Sequence, residues 1–429
     1  MWNGNGNGLD DKFFASLRFG ARKKPWVKGN KSVSLKLNIR SKLGLNMRKT
    51  LALIVLVLFC LPQLRCMDKE SLRYFMRGTL LTAIKESRTL LSLENAPRSA
   101  ICFDKDGDGD QDLFVITEDD LVLVYENLIG GRLASPPLAY IIERTPQRMA
   151  VADFNGDKFL DIAISNQLSD DVTVLLNSSA GQFYNMFSFD AGAEPFAIVA
   201  EDFDKDGAVD LAVASLTDNL VRIYANQKSE QFESKVSKPT GTLPFDMATS
   251  DVDKNGYPDL LVVNQESNDV SVFRNMGDFN FLDEEIYPVG DKPTAITTLD
   301  FNGDHFYDAA IARFAADTLA VLLNNGKGEF EQMLQFRTGK SPVALAAIDL
   351  DFNGWEDLIV ANADEDSLSF FMNSPGYLDK FKYFLQAGFH SSFLTVGLLN
   401  DNKFLDLVVC DFQDKKILIL FDVIAPREI

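Results

Sequence analysis

The chain has 429 residues, of which 46% are hydrophobic, and a formal net charge of −20. Residues 1–66 contain 13 Lys and Arg against 2 Asp and Glu, a net +11, so the other 29 Lys and Arg and 60 Asp and Glu give −31. A body this acidic repels phosphate backbones and argues against nucleic-acid binding. Four cysteines are too few for a disulfide framework.

The first 66 residues have the composition of a leader. Residues 1–46 are basic and rich in Gly and Asn without a sustained apolar period, which predicts disorder. A basic stretch from Met47 precedes the apolar run 51–61, so residues 47–66 are predicted to be a signal peptide and Met47 is a candidate true start. The alternative is an uncleaved signal anchor, which would make a single-pass membrane protein with the rest of the chain outside the cell.

One acidic stretch is the most informative part of the chain. Residues 104–112 read D-K-D-G-D-G-D-Q-D and place carboxylates at positions 1, 3, 5 and 9 of a nine-residue loop. Side chains this close repel one another unless a cation lies between them, and Ca²⁺ accepts 6–8 oxygen ligands in irregular geometry. The stretch is not an EF-hand loop, because position 12 is Val115 and not Glu.

The same stretch recurs at a period of 49 residues. Position 9 is acidic in every copy, a proline lies seven residues before position 1 in six copies, and an asparagine lies 24 residues after it in five. A sustained period of this length indicates a repeat architecture. Position 1 falls at Asp104, Asp153, Asp202, Asp251, Asp300, Asp349 and Leu398.

Each copy divides into four short strands. In copy three, residues 195–199, 211–214 and 220–224 are apolar or alternating, and residues 231–236 alternate with more polar side chains. Three inner strands and a more polar outer strand are typical of a propeller blade. The sequence therefore predicts an all-β, seven-bladed β-propeller over residues 68–425, with four-stranded antiparallel blades.

The last copy predicts how the ring closes. After residues 417–421 the chain ends at Ile429, which leaves no room for a fourth strand. Part of residues 68–94 is expected to supply that strand, so that both ends of the repeat region share one blade and no sheet edge stays open.

These repeats resemble the FG-GAP and VCBS families, which include the integrin-α-type propellers. The resemblance rests on D-F-D-K-D-G-A-V-D-L-A-V at residues 202–213 and its variants in the other copies, and it covers residues 79–425. It implies Ca²⁺ in the loops of one face, ligands on the opposite face, and roles in adhesion or recognition.

The loops differ in quality as calcium sites. Four copies combine carboxylates with a glycine at position 6: Asp104, Asp106, Asp108 and Asp112; Asp202, Asp204, Asp206 and Asp210; Asp251, Asp253, Asn255 and Asp259; Asp349, Asp351, Asn353 and Asp357. Two copies are expected to bind more weakly, because Lys158 and His305 replace that glycine. Their oxygen ligands are Asp153, Asn155, Asp157 and Asp161, and Asp300, Asn302, Asp304 and Asp308. The seventh loop, which begins at Leu398, is expected to bind no ion.

Several other features admit two interpretations. The aromatic residues at position 7 of five loops pack between blades or form sugar-binding platforms. The residues 166, 167, 264, 265 and 362 cap turns or face a ligand. Asn177-Ser178-Ser179 is predicted to be an exposed glycosylation site, and Cys102 and Cys410 are predicted to be small buried side chains without a disulfide.

The function expected from these features is recognition. The chain has 2 histidines and no catalytic motif, so it is not expected to be an enzyme, although a propeller hydrolase or lyase stays open. A secreted or cell-surface, calcium-stabilised propeller that binds an extracellular protein is favoured. The alternative is a carbohydrate-binding, lectin-like propeller. A membrane is expected as a partner only if residues 51–61 are an anchor.

Overall fold

The computed structural model describes residues 88–128, 131–228, 231–374, 377–384, 389–400 and 404–423. These residues form seven four-stranded antiparallel sheets, one for each 49-residue copy, arranged as a seven-bladed β-propeller. The predicted fold is confirmed. The predicted leader, residues 1–46 and 47–66, lies outside the described residues. In the described part of the chain, no helix is long and apolar enough to cross a membrane.

Blades one to six follow the order of the sequence from the channel outward. The second strand is buried at every position, as in Asp210–Ser215, because sheets of neighbouring blades cover both its faces. The outer strand alternates between partly buried and exposed side chains, as in Asn185–Asp190, because only one of its faces meets a neighbouring blade. A short 3₁₀ turn, Phe314–Ala316, follows the second strand of blade five.

In chain order, the strands of the described residues are β1 (Arg88–Ser92), β2 (Pro97–Phe103), β3 (Asp112–Thr117), β4 (Leu121–Tyr125), β5 (Leu138–Ile141), β6 (Pro146–Ala152), β7 (Asp161–Asn166), β8 (Asp171–Leu176), β9 (Asn185–Asp190), β10 (Pro195–Glu201), β11 (Asp210–Ser215), β12 (Leu220–Asn226), β13 (Phe232–Pro239), β14 (Pro244–Ser250), β15 (Asp259–Asn264), β16 (Asp269–Phe273), β17 (Glu285–Pro288), β18 (Pro293–Leu299), β19 (Asp308–Arg313), β20 (Thr318–Asn324), β21 (Phe330–Arg337), β22 (Pro342–Ile348), β23 (Asp357–Asn362), β24 (Ser367–Ser374), β25 (Tyr377–Phe384), β26 (Ser391–Gly397), β27 (Asp406–Asp411) and β28 (Lys416–Leu420).

The ring closes by the predicted strand exchange. Strand β1 pairs antiparallel with β28, with Leu90 opposite Leu418, so the seventh sheet has the order β1-β28-β27-β26. Strand β1, which lies within the segment 68–94 that was expected to supply it, is therefore the outer strand of the last blade. The closure joins the first described residues to the last copy and removes an open edge between blades seven and one.

The core lies between neighbouring sheets. One cluster joins Leu113 of blade one to Val408 and Cys410 of blade seven, and every cluster in the described residues likewise combines two adjacent blades. Cys410 is fully buried and Cys102 is half-buried against the same cluster, and both are free thiols. They pack as small apolar side chains, as the sequence predicts.

Candidate metal centres on the loop face

The nine-residue loops connect the first strand of each blade to the second. In blade three, β10 ends at Glu201 and β11 begins at Asp210, so residues 202–209 form the connection. We call the end of the propeller that carries these loops the loop face. The opposite end, which carries the turns between second and third strands, is the turn face.

Backbone N–H groups hold the carboxylates of a loop in place. In blade three, Asp202 accepts from the N–H of Asp206 through Oδ1 (3.1 Å) and from the N–H of Gly207 through Oδ2 (3.0 Å). Gly207 has φ 85°, which lets the chain curl back around Asp202. As a result, oxygens of Asp202, Asp204 and Asp206 lie within 4.8 Å of one another.

Four loops gather three carboxylates in this way, and they are the four copies that the sequence favoured. A set of carboxylate oxygens is the ligand chemistry of a hard cation such as Ca²⁺, so the side chains fit this ion. Whether each loop binds an ion stays a prediction. The clusters are Asp104, Asp106 and Asp108; Asp202, Asp204 and Asp206; Asp251, Asp253 and Asp259; Asp349, Asp351 and Asp357.

The loops of copies two and five do not gather three carboxylates, although every residue of 153–161 and 300–308 is described. Lys158 and His305 have φ values of 76° and 69°, the strained conformation expected where glycine is replaced. Asn155 donates from Nδ2 to Asp157 Oδ2 at 3.2 Å, so its amide is turned toward a neighbouring carboxylate. These geometries agree with weaker binding in the two copies.

The first loop contains a cation of its own. The Lys105 ammonium lies 2.8 Å from Asp106 Oδ2 and 3.7 Å from Asp112 Oδ2, and the side chain is 4% exposed. Burial disfavours the charged form, but the hydrogen bond to Asp106 and the two carboxylates outweigh it, so the pKa of Lys105 is raised. Position 2 is apolar in every other copy, so a buried lysine at this position is confined to copy one. In blade three a more exposed ammonium, that of Lys228, lies 3.2 Å from Asp206 Oδ2.

Position 9 has a structural role that the sequence did not reveal. In blade three, Asp210 accepts from the N–H of Phe203 through Oδ2 (3.0 Å) and from the N–H of Asn226 through Oδ1 (2.9 Å). Asp406 of the seventh loop makes the equivalent bonds to Leu399 and Asp422. The backbone therefore accounts for an acidic residue at position 9 even where no ion binds, while Asp259 and Asp357 also belong to two of the carboxylate clusters. Whether position 9 contributes a metal ligand stays a prediction.

Burial of these carboxyl groups also changes their protonation. Loss of solvation raises the pKa of each position-9 aspartate, and the backbone hydrogen bonds offset the increase only in part. The pKa is raised to about 6 for Asp112 and Asp161, and to about 7 for Asp210, Asp259, Asp308, Asp357 and Asp406.

In six blades, an asparagine at or near the end of the third strand ties neighbouring blades together. Asn226 donates from Nδ2 to the carbonyl oxygen of Phe154 in the preceding loop (2.8 Å) and to Val209 O in its own loop (3.0 Å). Asn127 does the same in blade one, although it lies one residue short of the 24-residue spacing and the sequence analysis missed it. The six links join Asn127 to Leu399, Asn177 to Lys105, Asn226 to Phe154, Asn275 to Phe203, Asn324 to Val252, and Asn373 to Phe301.

This role contradicts the predicted glycosylation site. Asn177 is fully buried, and its Nδ2 donates to Lys105 O at 2.7 Å and to Leu160 O at 3.1 Å. The atom that would carry a glycan is therefore used inside the folded chain, and the prediction of an exposed sequon was wrong.

The family follows from the loops and their period. The sequence model of the family described as FG-GAP-like repeat matches residues 104–164, 153–213, 202–262 and 251–311, and each match begins at position 1 of a loop. The chain carries FG-GAP-like repeats. No curated protein matches the sequence of this FG-GAP propeller.

Solved structures show the same fold at low sequence identity. BBS1N, in its complex with ARL6DN, aligns with a TM-score of 0.57 and 13% identity over 79% of this chain and 99% of that chain. The hydrazine synthase of Kuenenia stuttgartiensis aligns with a TM-score of 0.54 and 11% identity over 77% of this chain and 96% of that chain. At these identities the likeness to the FG-GAP propeller concerns the fold alone.

The aromatic rings of the loop face contact neighbouring loops. Trp355 of loop six packs on Gly303 of loop five, where an added Cβ would lie 1.9 Å from the ring. The Lys254 ammonium of loop four lies 3.9 Å from the centre of the Phe306 ring in loop five. These two rings of the FG-GAP propeller therefore fit packing between neighbouring blades better than they fit sugar-binding platforms.

The candidate ligand residues 166, 167, 264, 265 and 362 lie on the turn face of the FG-GAP propeller and differ in what they contact. Asn166, Asn264 and Asn362 are buried and donate within their own turns, for example from Asn264 Nδ2 to Asp269 Oδ1 at 2.8 Å. They cap turns. Gln167 accepts from Gln147 at 2.7 Å. Gln265 differs, because it lines a cavity at the centre of this face.

Proposed function

We propose that this FG-GAP propeller is an extracellular recognition module, stabilised by Ca²⁺ on the loop face, that binds a protein on the turn face. The observation that carries the proposal is the separation of the two faces. The four carboxylate clusters all lie in loops of one end, whereas a cavity lined by side chains of several blades opens at the other. One end is suited to holding ions and the other to holding a ligand.

The role proposed for Ca²⁺ is structural. Within a cluster the carboxylates belong to one loop, between two strands of one blade, so an ion there fixes the loop against its own charge repulsion. An ion bound by the folded chain alone stabilises it by RT ln(1 + [L]/Kd) for each site. Extracellular modules bind Ca²⁺ at roughly 10⁻⁴–10⁻³ M, which suits an exported protein.

Two further features support protein recognition over the alternatives. Two of the five aromatic rings that a lectin would use as platforms, Trp355 and Phe306, contact neighbouring loops, which disfavours the carbohydrate-binding function. A structure with the same fold, BBS1N, was crystallised in a complex with another protein. Catalysis is not part of the proposal, because the chain has 2 histidines and no catalytic motif.

The decisive experiment compares two classes of ligand. The purified full chain is applied to an array of cell-surface ectodomains and to a glycan array, each with millimolar Ca²⁺ and with a chelator. We expect binding to ectodomains in Ca²⁺. Binding to glycans without binding to any ectodomain would overturn the proposal in favour of a lectin. Sequencing the N-terminus of the chain released by secreting cells tests export, and cleavage between residues 61 and 68 is expected.

A further inference from the structure

The centre of the turn face is a funnel that leads into the channel of the propeller. Its cavity has a volume of about 480 Å³ and is lined by residues from five of the seven blades. A second cavity of about 180 Å³ lies further inside the channel. Arg148, Thr294 and Val343 line both cavities and so mark the floor of the funnel.

Arg148 is the most unusual residue of this floor. Its guanidinium carbon lies 5.0 Å from the ring centre of Phe196 and 5.0 Å from that of Phe393, so the cation is held between two aromatic faces. Nη1 donates to the carbonyl oxygen of Gln147 at 3.3 Å. No carboxylate of the described residues lies within ion-pair distance of this guanidinium, although the charge of Asp246 acts on it. With one hydrogen bond made by Nη1, the guanidinium keeps donors for another acceptor.

A second polar group of the funnel also lacks a partner. Ser391 lines the cavity and is 2% exposed, and its Oγ makes no hydrogen bond within the described residues. A buried hydroxyl without a partner has given up its hydrogen bonds to water, and a ligand can replace them. The hydroxyl can donate to the same acceptor as the guanidinium, since both line one cavity.

Arg148 is the cation of this lining that is left for a ligand. Lys292 and Asp364 also line the cavity, but the Lys292 ammonium lies 3.4 Å from Glu266 Oε1 and so already has a carboxylate partner. Phe245 and Phe412 line the same cavity and add apolar surface. A suitable ligand therefore combines a carboxylate with apolar groups.

We infer that the funnel binds the carboxylate of an acidic side chain, flanked by apolar residues, on a segment of a partner protein. Arg148 pairs with the carboxylate, Ser391 donates a hydrogen bond, and the aromatic rings contact the flanking residues. This inference rests on the proposed function, because it specifies what the turn face recognises. An arginine that is pre-positioned by stacking loses little entropy when it pairs.

Asp246 is a candidate partner for Arg148 inside the channel, and the experiment must distinguish it from a ligand that enters from outside. It lines the inner cavity and its Oδ2 accepts from the N–H of Ile296 at 2.9 Å. If Asp246 fully compensates Arg148 within the channel, a carboxylate added from outside gains nothing. Arg148 also lines the outer cavity, however, whereas Asp246 lines the inner one, so a ligand in the funnel can contact the arginine.

The test uses a labelled hexapeptide with one glutamate between two phenylalanines, and the same peptide with glutamine. Binding to the full chain in Ca²⁺ is measured by fluorescence anisotropy. We expect the glutamate peptide to bind at least tenfold more tightly than the glutamine peptide. Arg148→Met keeps the packing between the two rings and should abolish this preference. Lys235→Met, which removes one charge from the outer strand of blade three, should leave it unchanged.

Each outcome decides the inference. Equal binding of the two peptides to the wild-type chain, or a preference that survives in Arg148→Met, would overturn it. If Arg148→Met does not fold, the comparison of the two peptides on the wild-type chain still decides. If the chain binds an ectodomain on the array but shows no preference for the glutamate peptide, the proposed function stands. Only the preference for an acidic ligand is then rejected.

Discussion

Asn127 donates its side-chain amide to the carbonyl oxygen of Leu399, 2.9 Å away in space and 272 residues away in sequence. The same Nδ2 donates to Gln111 O at 3.0 Å. This pair of bonds ties the first loop to the seventh, at the junction where the ring closes. The closure thus has two separate fastenings, one at the loop face and one in the strand pair of β1 and β28.

Replacing Asn127 tests the first fastening. Asn127→Ala leaves two buried carbonyl oxygens without donors, and each costs about 1–3 kcal/mol. We expect the free energy of unfolding in denaturant to fall by about 2–4 kcal/mol. Asn325→Ala is the control, because the Asn325 side chain bonds exposed partners: it donates to the Glu329 and Glu331 carboxylates and accepts from the N–H of Lys327. Equal losses in the two variants would contradict the role of Asn127.

The strand pair tests the second fastening. Leu91 packs against the core cluster between blades seven and one, whereas Leu90, its neighbour on β1, is 41% exposed. Leu91→Asp should lower the free energy of unfolding by about 2–4 kcal/mol, because it places a charge against an apolar core. Leu90→Asp should change it by less than about 1 kcal/mol. If both variants are equally stable, β1 does not fasten the ring in solution.

The fold was predictable because its signals repeat. One loop alone is compatible with an ordinary turn, but its recurrence every 49 residues fixed the number of blades. The swapped strand followed from counting, since copy seven lacked residues for a fourth strand. The bounds of β1 were not predictable from the sequence, because a short amphipathic run such as Arg88–Ser92 fits a strand or a helix.

The roles of single residues in the site were less predictable. The spacing of the carboxylates pointed to their convergence, but the N–H partners of Asp210 come from a neighbouring loop residue and from Asn226, 16 residues further on. Asn127 escaped notice because the turn between β3 and β4 is one residue shorter than the equivalent turn of the other copies. The contacts of Arg148 could not be predicted from the sequence, because Arg148, Phe196 and Phe393 meet only when blades two, three and seven surround one channel.

Removal of Ca²⁺ should weaken the whole ring. At a Ca²⁺ concentration ten times Kd, each occupied site adds about 1.4 kcal/mol to the free energy of unfolding. We therefore expect a chelator to lower the melting temperature by several degrees. An unchanged melting temperature, together with no Ca²⁺ bound in equilibrium dialysis, would exclude the structural role.

A single-loop variant sharpens that measurement. Asp204→Ala removes one carboxylate of the third cluster, while the bonds from Asp206 and Gly207 to Asp202 stay in place. The variant should bind one Ca²⁺ fewer and lose stability mainly in the presence of Ca²⁺. Asn400→Ala in the seventh loop is the control and should leave the number of bound ions unchanged. The same stoichiometry for Asp204→Ala and the wild type would contradict a site in loop three.

Lys105 should weaken the first site. Its ammonium lies 2.8 Å from Asp106 Oδ2, so an entering ion must overcome the repulsion of a nearby positive charge. Lys105→Met removes that charge and keeps the length of the side chain. We expect Ca²⁺ affinity in copy one to increase about tenfold, corresponding to about 1.4 kcal/mol, as measured by calorimetric titration. Lys235→Met should leave the titration unchanged, and an identical result for Lys105→Met would show that the ammonium does not compete.

Asp406 provides a test of pH dependence that is free of bound ions, because the seventh loop is expected to hold none. Burial raises the pKa of its carboxyl to about 7, despite bonds from the N–H groups of Leu399 and Asp422, whereas an unfolded aspartate titrates near 3.8. Between these two values the folded chain holds more protons than the unfolded chain. The contribution of Asp406 to the free energy of unfolding therefore falls as pH rises from about 4 to 7, by at most about 1.4 kcal/mol per pH unit.

The measurement compares the wild type with Asp406→Asn in chelator, by denaturant unfolding between pH 5 and 8. The Asn variant has a stability offset of its own, so the informative quantity is how the difference between the two chains changes with pH. We expect the wild type to gain on the variant as pH falls from 8 to 5, because protonation relieves a buried charge that the amide never carries. A difference that is constant over this range would show that the Asp406 carboxyl titrates near its ordinary pKa and is better solvated than its burial implies.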